Sequence, residues 1–327
     1  MIQRWSDIMK RILVTGAAGQ IGSDLVPVLR AKLGGESVVA AGFETPLPEE
    51  TQAAGPCITV DVTSFTQVDE AVRKYNIDTL FHMSSILSAL AEGDRQHAHE
   101  VNINGMHNVL EAAAGNGLER VVVPSSIAAF GDETPKDPTP NDTLQRPTTV
   151  YGISKVFGEL LGNYYSLKVG LDVRGVRLPG LVSWKTEPTA GTTDYAVAIF
   201  YGAIKDKHYT CYLRPDTYLP MMYMPDAIDA LIGVAEADSA GLKHHADFNV
   251  NALSFTPEQL ADVIRSRIPG FTMDYEIDPL RQSIADSWPD SLDDSVARVE
   301  WDWKPRYDLG AMVDGMLENL RRKLSEE

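Results

Sequence analysis

A tyrosine and a lysine stand four residues apart in Thr149-Val-Tyr151-Gly-Ile-Ser-Lys155. On a helix that spacing puts both side chains on one face, about one turn apart. A tyrosine hydroxyl ordinarily titrates near ~10, too high for a base at neutral pH. An ammonium held on the same face favours the phenolate and is expected to draw that value down. A phenolate so prepared can take the proton of an alcohol. The pattern also arises by chance on solvated helices, so its meaning rests on what lies upstream.

Upstream, the apolar run Arg11-Ile-Leu-Val-Thr15 leads directly into Gly16-Ala-Ala-Gly19-Gln20-Ile21-Gly22. A helical pattern follows, with Ile21, Leu25, Val28 and Leu29 on one face. Strand, glycine turn and helix are the context of a dinucleotide fingerprint. Gly16 permits the tight turn, Gly19 lets the backbone approach a pyrophosphate, and Gly22 lets helix pack on strand. The first amides of that helix then face the phosphates. The spacing is one residue longer than the common dehydrogenase form. With a nicotinamide bound nearby, the tyrosine could act as base while hydride leaves the alcohol carbon.

The elements between these two motifs must bring them together. A second strand, Ser37–Ala41, is expected to end in an acid that holds the adenosine ribose. Gly42 stands there instead, followed by Phe43 and Glu44, and Glu44 is the candidate substitute. No Arg or Lys lies close enough to hold a 2′-phosphate, so NAD is expected rather than NADP. A third strand runs over 57–62, and its Asp61 can accept from the adenine amino group and, compatibly, cap the helix around 64–74. The fourth strand, Thr79–Met83, precedes Ser84, Ser85 and Ser88, and its His82 reads as a packed residue. A long helix over 94–115 carries Asn102. The fifth strand, 120–126, ends in Ser125 and Ser126, and the sixth runs from Asp172 to Arg177.

This alternation predicts an α/β fold, a doubly wound parallel sheet whose ligands sit at the carboxyl ends of its strands. Gly16, Ser88, Ser125, Ser126 and Tyr151 all fall at those ends. In the second half the rhythm breaks. Gly191-Thr192-Thr193-Asp194-Tyr195 opens a helix to about Lys205, with Thr193 or Asp194 placed to cap it. A short strand (209–213), a helix to about 237, a helix begun by Thr256-Pro and a last amphipathic helix from Leu309 follow. The boundaries read as an extension over 1–9, a nucleotide-binding domain over 10–180, and a mainly substrate-capping part over 181–327 with some return to the core. Met9 would serve as a natural start.

Composition narrows the function classes. The 327 residues include 46 acids against 29 bases, a formal net charge of −17. Such a chain suits neither a phosphate backbone nor an anionic membrane surface. Two cysteines, Cys57 and Cys211, lack any spacing for a disulfide framework or structural zinc, and no metal is expected. No apolar run is long enough for a membrane span and no secretory pattern opens the chain, so a cytoplasmic protein is expected.

Taken together, Thr15-Gly16-x-x-Gly19-x-x-Gly22, Asp61-Val62, Asn102-x-x-Gly105, Ser126, Tyr151-x-x-x-Lys155 and Arg177-x-Pro179-Gly180 resemble the extended short-chain dehydrogenase/reductase superfamily. Leu87-Ser88-Ala89, Gly191 to Tyr195, His208 to Leu213, Leu219 to Asp226 and Ser287 to Asp294 look more particularly like its L-threonine 3-dehydrogenase type. Gly42 departs from the Asp usual there, and Ser84-Ser85 replaces the small Ala pair.

The resemblance implies NAD-dependent oxidation of L-threonine at C3 to 2-amino-3-oxobutyrate. Tyr151 would be the base, Lys155 its activator and a ribose ligand, and Ser126, with Ser125, would bind the reacting oxygen. Asn102 would be structural or reach the reaction through water. Ser88, Gly191, Thr192, Thr193, Asp194 and Trp288 would enclose the substrate, unless Thr192 to Asp194 only cap a helix. Met83, Ser84, Asn102, Tyr151, Lys155, Leu178 and Pro179 would join the glycines, Gln20, Ile21, Glu44, Asp61 and Val62 around NAD. A sugar-nucleotide epimerase or dehydratase and a non-catalytic nucleotide sensor are the competing readings. Apolar stripes on the helices carrying 101–114 and 151–167 would form a four-helix homodimer interface.

Overall fold

The structure, a computed structural model, describes residues 9–189 and 191–326. Residues 1–8 of the expected extension lie outside the described residues, while Met9 is buried in the core.

Among the described residues, twelve strands occur in chain order: β1 Ile12–Thr15, β2 Val38–Gly42, β3 Cys57–Thr59, β4 Thr79–His82, β5 Arg120–Ser126 and β6 Asp172–Leu178, then β7 Gly180–Val182, β8 His208–Cys211, β9 Leu219–Tyr223, β10 Phe248–Asn249, β11 Leu253–Phe255 and β12 Thr272–Tyr275. Seven form one sheet in the order β10-β6-β5-β4-β1-β2-β3, with every pair parallel. Val121 to Val123 of β5 are buried, as a central parallel strand covered on both faces requires. The strand order reverses between β1 and β4, where Thr15 pairs with His82. Ligand crevices of such sheets open at that switch point.

The sixth strand runs one residue further than Arg177, and β10 adds a seventh from the second half of the chain. The helix Met224–Glu236 also packs against the same core as Val14, Phe81 and Val122. A three-stranded sheet, β11-β9-β7, and a pair, β12-β8, carry the rest of the second half. The pairing of β12 with β8 has no local signature, because the two strands are far apart in sequence.

The long helix expected over 94–115 is a composite. Arg95–His99 is α-helical, Glu100–Gly105 is a π turn, and Met106–Gly115 resumes the α-helix. Such a turn inserts an extra residue and re-aims the side chains around it. Asn102 is thereby buried at 8% exposure, and Gly105 abuts Val62. Val101 is half-buried, and Met106, Val109 and Leu110 face the sheet core, so that stripe is not a free surface. The helix Pro257–Arg267 begins as its Thr256-Pro pattern predicts. Thr256 Oγ1 accepts from Gln259 N at 3.1 Å, and Gln259 Oε1 accepts from Thr256 N at 2.9 Å.

Candidate active site

Gly16 has φ +64°, and a Cβ there would stand 2.7 Å from the Met83 carbonyl carbon at the end of β4. A Cβ on Gly22 would meet Gly16 O at 2.3 Å. Side chains at these positions would fill the cradle between β1, β4 and the helix Gly22–Leu33. A chain that keeps this space beside a helix N-terminus fits a dinucleotide pyrophosphate.

A cavity of about 450 Å³ opens beside it, lined among others by Gly16, Gly19, Glu44, Asp61, Val62, Met83 and Ser84. Glu44 is exposed on its rim, next to Phe43 at 54% exposure. The lining contains the acids Glu44, Asp61 and Glu100, and no Lys or Arg among the described residues. Asp61 does not cap the following helix, whose N-cap position is Ser64. Its Oδ1 instead accepts from Thr63 N at 2.9 Å and Thr63 Oγ1 at 2.8 Å, closing the turn ahead of the helix.

A second cavity, about 220 Å³, continues past the glycine turn. Its lining includes Gln20, Ile21, Met83, Leu178 and Pro179, together with Ser88, Gly191, Thr192, Thr193, Asp194 and Trp288. Ser125, Ser126, Tyr151 and Lys155 border the same cavity. Gly22 lines neither cavity and packs instead against Gly16 and Ala17 of the turn.

The helix Val150–Tyr164 delivers the tyrosine. Thr149 caps it, its Oγ1 accepting from Gly152 N at 3.1 Å. A Cβ on Gly152 would stand 2.2 Å from Ala128 O, so glycine lets the helix start press against the turn after β5. That contact brings the Tyr151 phenol beside the Ser126 hydroxyl. Lys155 Nζ donates to Pro124 O at 2.9 Å and lies 5.2 Å from the Tyr151 ring centroid.

The expected lowering of the Tyr151 pKa is not realised in this structure. Burial pushes it up to about 12, and the Ser126 hydroxyl only partly opposes that. Burial also draws Lys155 down to about 8, against the pull of the Glu159 carboxylate. His82 is a packed neutral residue, as its sequence context suggests. Burial, aided by Lys155, holds its pKa at about 3, and Nδ1 pairs with Thr15 Oγ1 at 2.9 Å.

The contacts of Ser125, Asn102, Thr193 and Asp194 are set by the fold. The Ser125 hydroxyl donates to the buried carboxylate of Glu159, so it is spoken for even though it borders the cavity. Asn102 lines a smaller chamber behind Lys155 rather than either main cavity. Its amide is engaged by Ser85 Oγ (3.2 Å), Ile86 N (2.8 Å), Ile86 O (2.9 Å) and Ser154 Oγ (3.3 Å), pinning the loop after β4. Neither Thr193 nor Asp194 caps the helix Tyr195–Lys205 with its side chain. Asp194 turns back to accept from Thr189 N at 2.5 Å and Thr189 Oγ1 at 2.7 Å. Thr192 is buried at 1% exposure on the cavity wall, and its Oγ1 has no hydrogen-bond partner.

Sequence reasoning overlooked Glu159, one helical turn beyond Lys155. It accepts from Arg177 Nε (2.9 Å), Arg177 Nη2 (2.8 Å) and Gln145 Nε2 (2.6 Å) behind the two serines. The i,i+4 spacing from Lys155 was the available signal.

Comparison with known proteins agrees with this geometry. A model of the NAD dependent epimerase/dehydratase family matches residues 12–250. A Staphylococcus haemolyticus protein, named as an uncharacterized epimerase/dehydratase, is 47% identical over 315 residues, covering 96% of this chain and 99% of that one. The L-threonine dehydrogenase of Clostridium difficile superposes with a TM-score of 0.93 at 48% identity, covering 96% of this chain and 98% of that one. A monomeric L-threonine 3-dehydrogenase from a metagenome gives a TM-score of 0.91 at 39% identity, covering 95% of this chain and 99% of that one. With its glycine cradle, switch-point cavities and matching family model, the chain belongs to the NAD dependent epimerase/dehydratase family.

Proposed function

We propose that the protein oxidises L-threonine at C3 to 2-amino-3-oxobutyrate with NAD⁺ as acceptor. The observation that carries the reading is the Ser126–Tyr151–Lys155 group in the wall of the smaller cavity, which shares Gly19, Met83 and Ser85 with the larger, dinucleotide-sized one. The threonine dehydrogenases of the same fold support the substrate. The acidic lining around Glu44, Asp61 and Glu100 disfavours a 2′-phosphate and supports NAD over NADP.

Ser126 holds the substrate hydroxyl by a hydrogen bond, and Tyr151 takes its proton. Lys155 holds the ribose and keeps positive charge beside the phenol. Bound NAD⁺ supplies the hydride acceptor and a cation that favours the phenolate. Thr192 and Ser88 offer hydroxyls to the amino acid's polar ends, Asp194 sets charge beside its ammonium, and Trp288 excludes water. Lys155 is the lone Lys or Arg among the described residues lining the smaller cavity. A sugar nucleotide's diphosphate calls for more cations than that.

A cytoplasmic location and a homodimer complete the proposal. No helix among the described residues is long and apolar enough to cross a membrane. On the helix that carries Tyr151 and the turn after it, Ile153, Leu160, Tyr164 and Leu167 are 54%, 63%, 55% and 70% exposed, a stripe fit for self-association.

The test is formation of reduced nicotinamide from L-threonine with NAD⁺ or NADP⁺, with chelator present. Turnover is expected with NAD⁺ and is expected to fall at least ~100-fold in Tyr151→Phe, with NAD⁺ binding retained. Folded protein that binds NAD⁺ but does not oxidise L-threonine would refute the substrate assignment.

A further inference from the structure

We propose that Tyr212 is a positioning residue that holds the segment Gly191–Asp194 in the shape that receives the substrate. The inference rests on the reading above and gives that site a part no motif identified. Tyr212 lies just beyond β8, outside the cavity lining. Its hydroxyl donates to Gly191 O at 2.9 Å. The Tyr195 backbone also lies close to the same hydroxyl. One hydroxyl thus holds the first residue of the segment and sits beside the residue that follows its last.

Gly191 O also accepts from Asp194 N at 3.2 Å, so the carbonyl that Tyr212 grips is the one that closes the turn. The phenol also lies beside the start of the helix Tyr195–Lys205, where helix geometry leaves amides unpaired. No side-chain cap serves them, since Asp194 is turned towards Thr189.

Tyr212 is itself held firmly. The Tyr195 ring meets it edge-on, with centroids 6.4 Å apart and planes at 90°. The Arg281 guanidinium lies 4.3 Å from its ring centroid. A rigid side chain braced in this way can fix a loop that has little packing of its own. What the loop presents is Thr192, whose buried hydroxyl has no partner in the protein and borders the cavity. Such a group binds a substrate well only if it is already in place, because ordering the loop on binding would consume affinity. Tyr212 acts on substrate binding through the loop, not on the proton or hydride.

Steady-state kinetics and NAD⁺ calorimetry on Tyr212→Phe test this. The ring and its stacking remain, and only the hydroxyl is lost. KM for L-threonine is expected to rise about tenfold, with kcat within about twofold and the NAD⁺ Kd unchanged. Arg281→Met, which releases the ring, should raise KM in the same direction by less, and it carries the test if Tyr212→Phe does not fold. Trypsin cleavage after Lys185 should be faster in Tyr212→Phe, a readout independent of the substrate. An unchanged KM in an active enzyme overturns the proposal, as does a parallel loss of kcat and NAD⁺ affinity. If the wild-type protein binds NAD⁺ without oxidising L-threonine, the substrate reading fails, and an unchanged cleavage rate would then sink the clamp as well.

Discussion

Glu159 and Arg177 meet as a bidentate ion pair in the interior, Nε to Oε1 at 2.9 Å and Nη2 to Oε2 at 2.8 Å. Their side chains are only 2% and 4% exposed. The pair joins the Tyr151 helix to β6 and touches the serine-bearing end of β5 through Ser125. Removing one partner would strand a buried charge. Arg177→Met is therefore expected to lose about 3–5 kcal/mol in denaturant unfolding. Any folded fraction should show reduced turnover, because Ser125 and Ser126 share one backbone.

Gly16 is a second fragile point, for a different reason. Its positive φ and the 2.7 Å approach to the Met83 carbonyl carbon leave no room for a methyl group. Gly16→Ala should lower the melting temperature by a few degrees and weaken NAD⁺ binding at least ~tenfold by calorimetry. A variant that keeps wild-type NAD⁺ affinity would remove the glycine cradle from the cofactor site.

The pH dependence of stability should carry a signature of Glu236. Burial raises its pKa from the usual carboxylate value to about 7, with Lys32 opposing and Asp229 adding to the rise. Its Oε1 is buried without a partner. A folded-state pKa above the unfolded one means that the folded protein binds the extra proton. Stability is then favoured below about 4.5 and declines as pH climbs towards 7. Glu236→Gln should remove that decline. Its gain in melting temperature over wild type is expected to be larger at pH 8 than at pH 5, and equal gains at both would exclude Glu236 as the source.

Self-association can be read by light scattering. The proposed homodimer should give about twice the 35.9 kDa chain mass, and Leu160→Glu, in the middle of the exposed stripe, should return it to monomer with threonine turnover largely retained. A monomeric wild-type protein would instead group it with its monomeric metagenomic relative.

Much of this protein is legible without its fold. The strand–glycine–helix pattern at 11–22, the apolar strand ends before Ser125 and the Tyr151-Lys155 spacing are local signals. Local sequence governs turn conformation, helix phase and strand burial, so the sheet and the converging site follow from them. What the tertiary structure alone decided comes from neighbours distant in the chain. Burial against the rest of the pocket raised the Tyr151 pKa that the nearby lysine was expected to lower. Glu159, 34 residues from Ser125, claimed the hydroxyl intended for substrate. A π turn aimed Asn102 at the loop after β4, and Tyr212 reached across 21 residues to Gly191. Each outcome depends on desolvation or on a contact that exists only once the chain has folded.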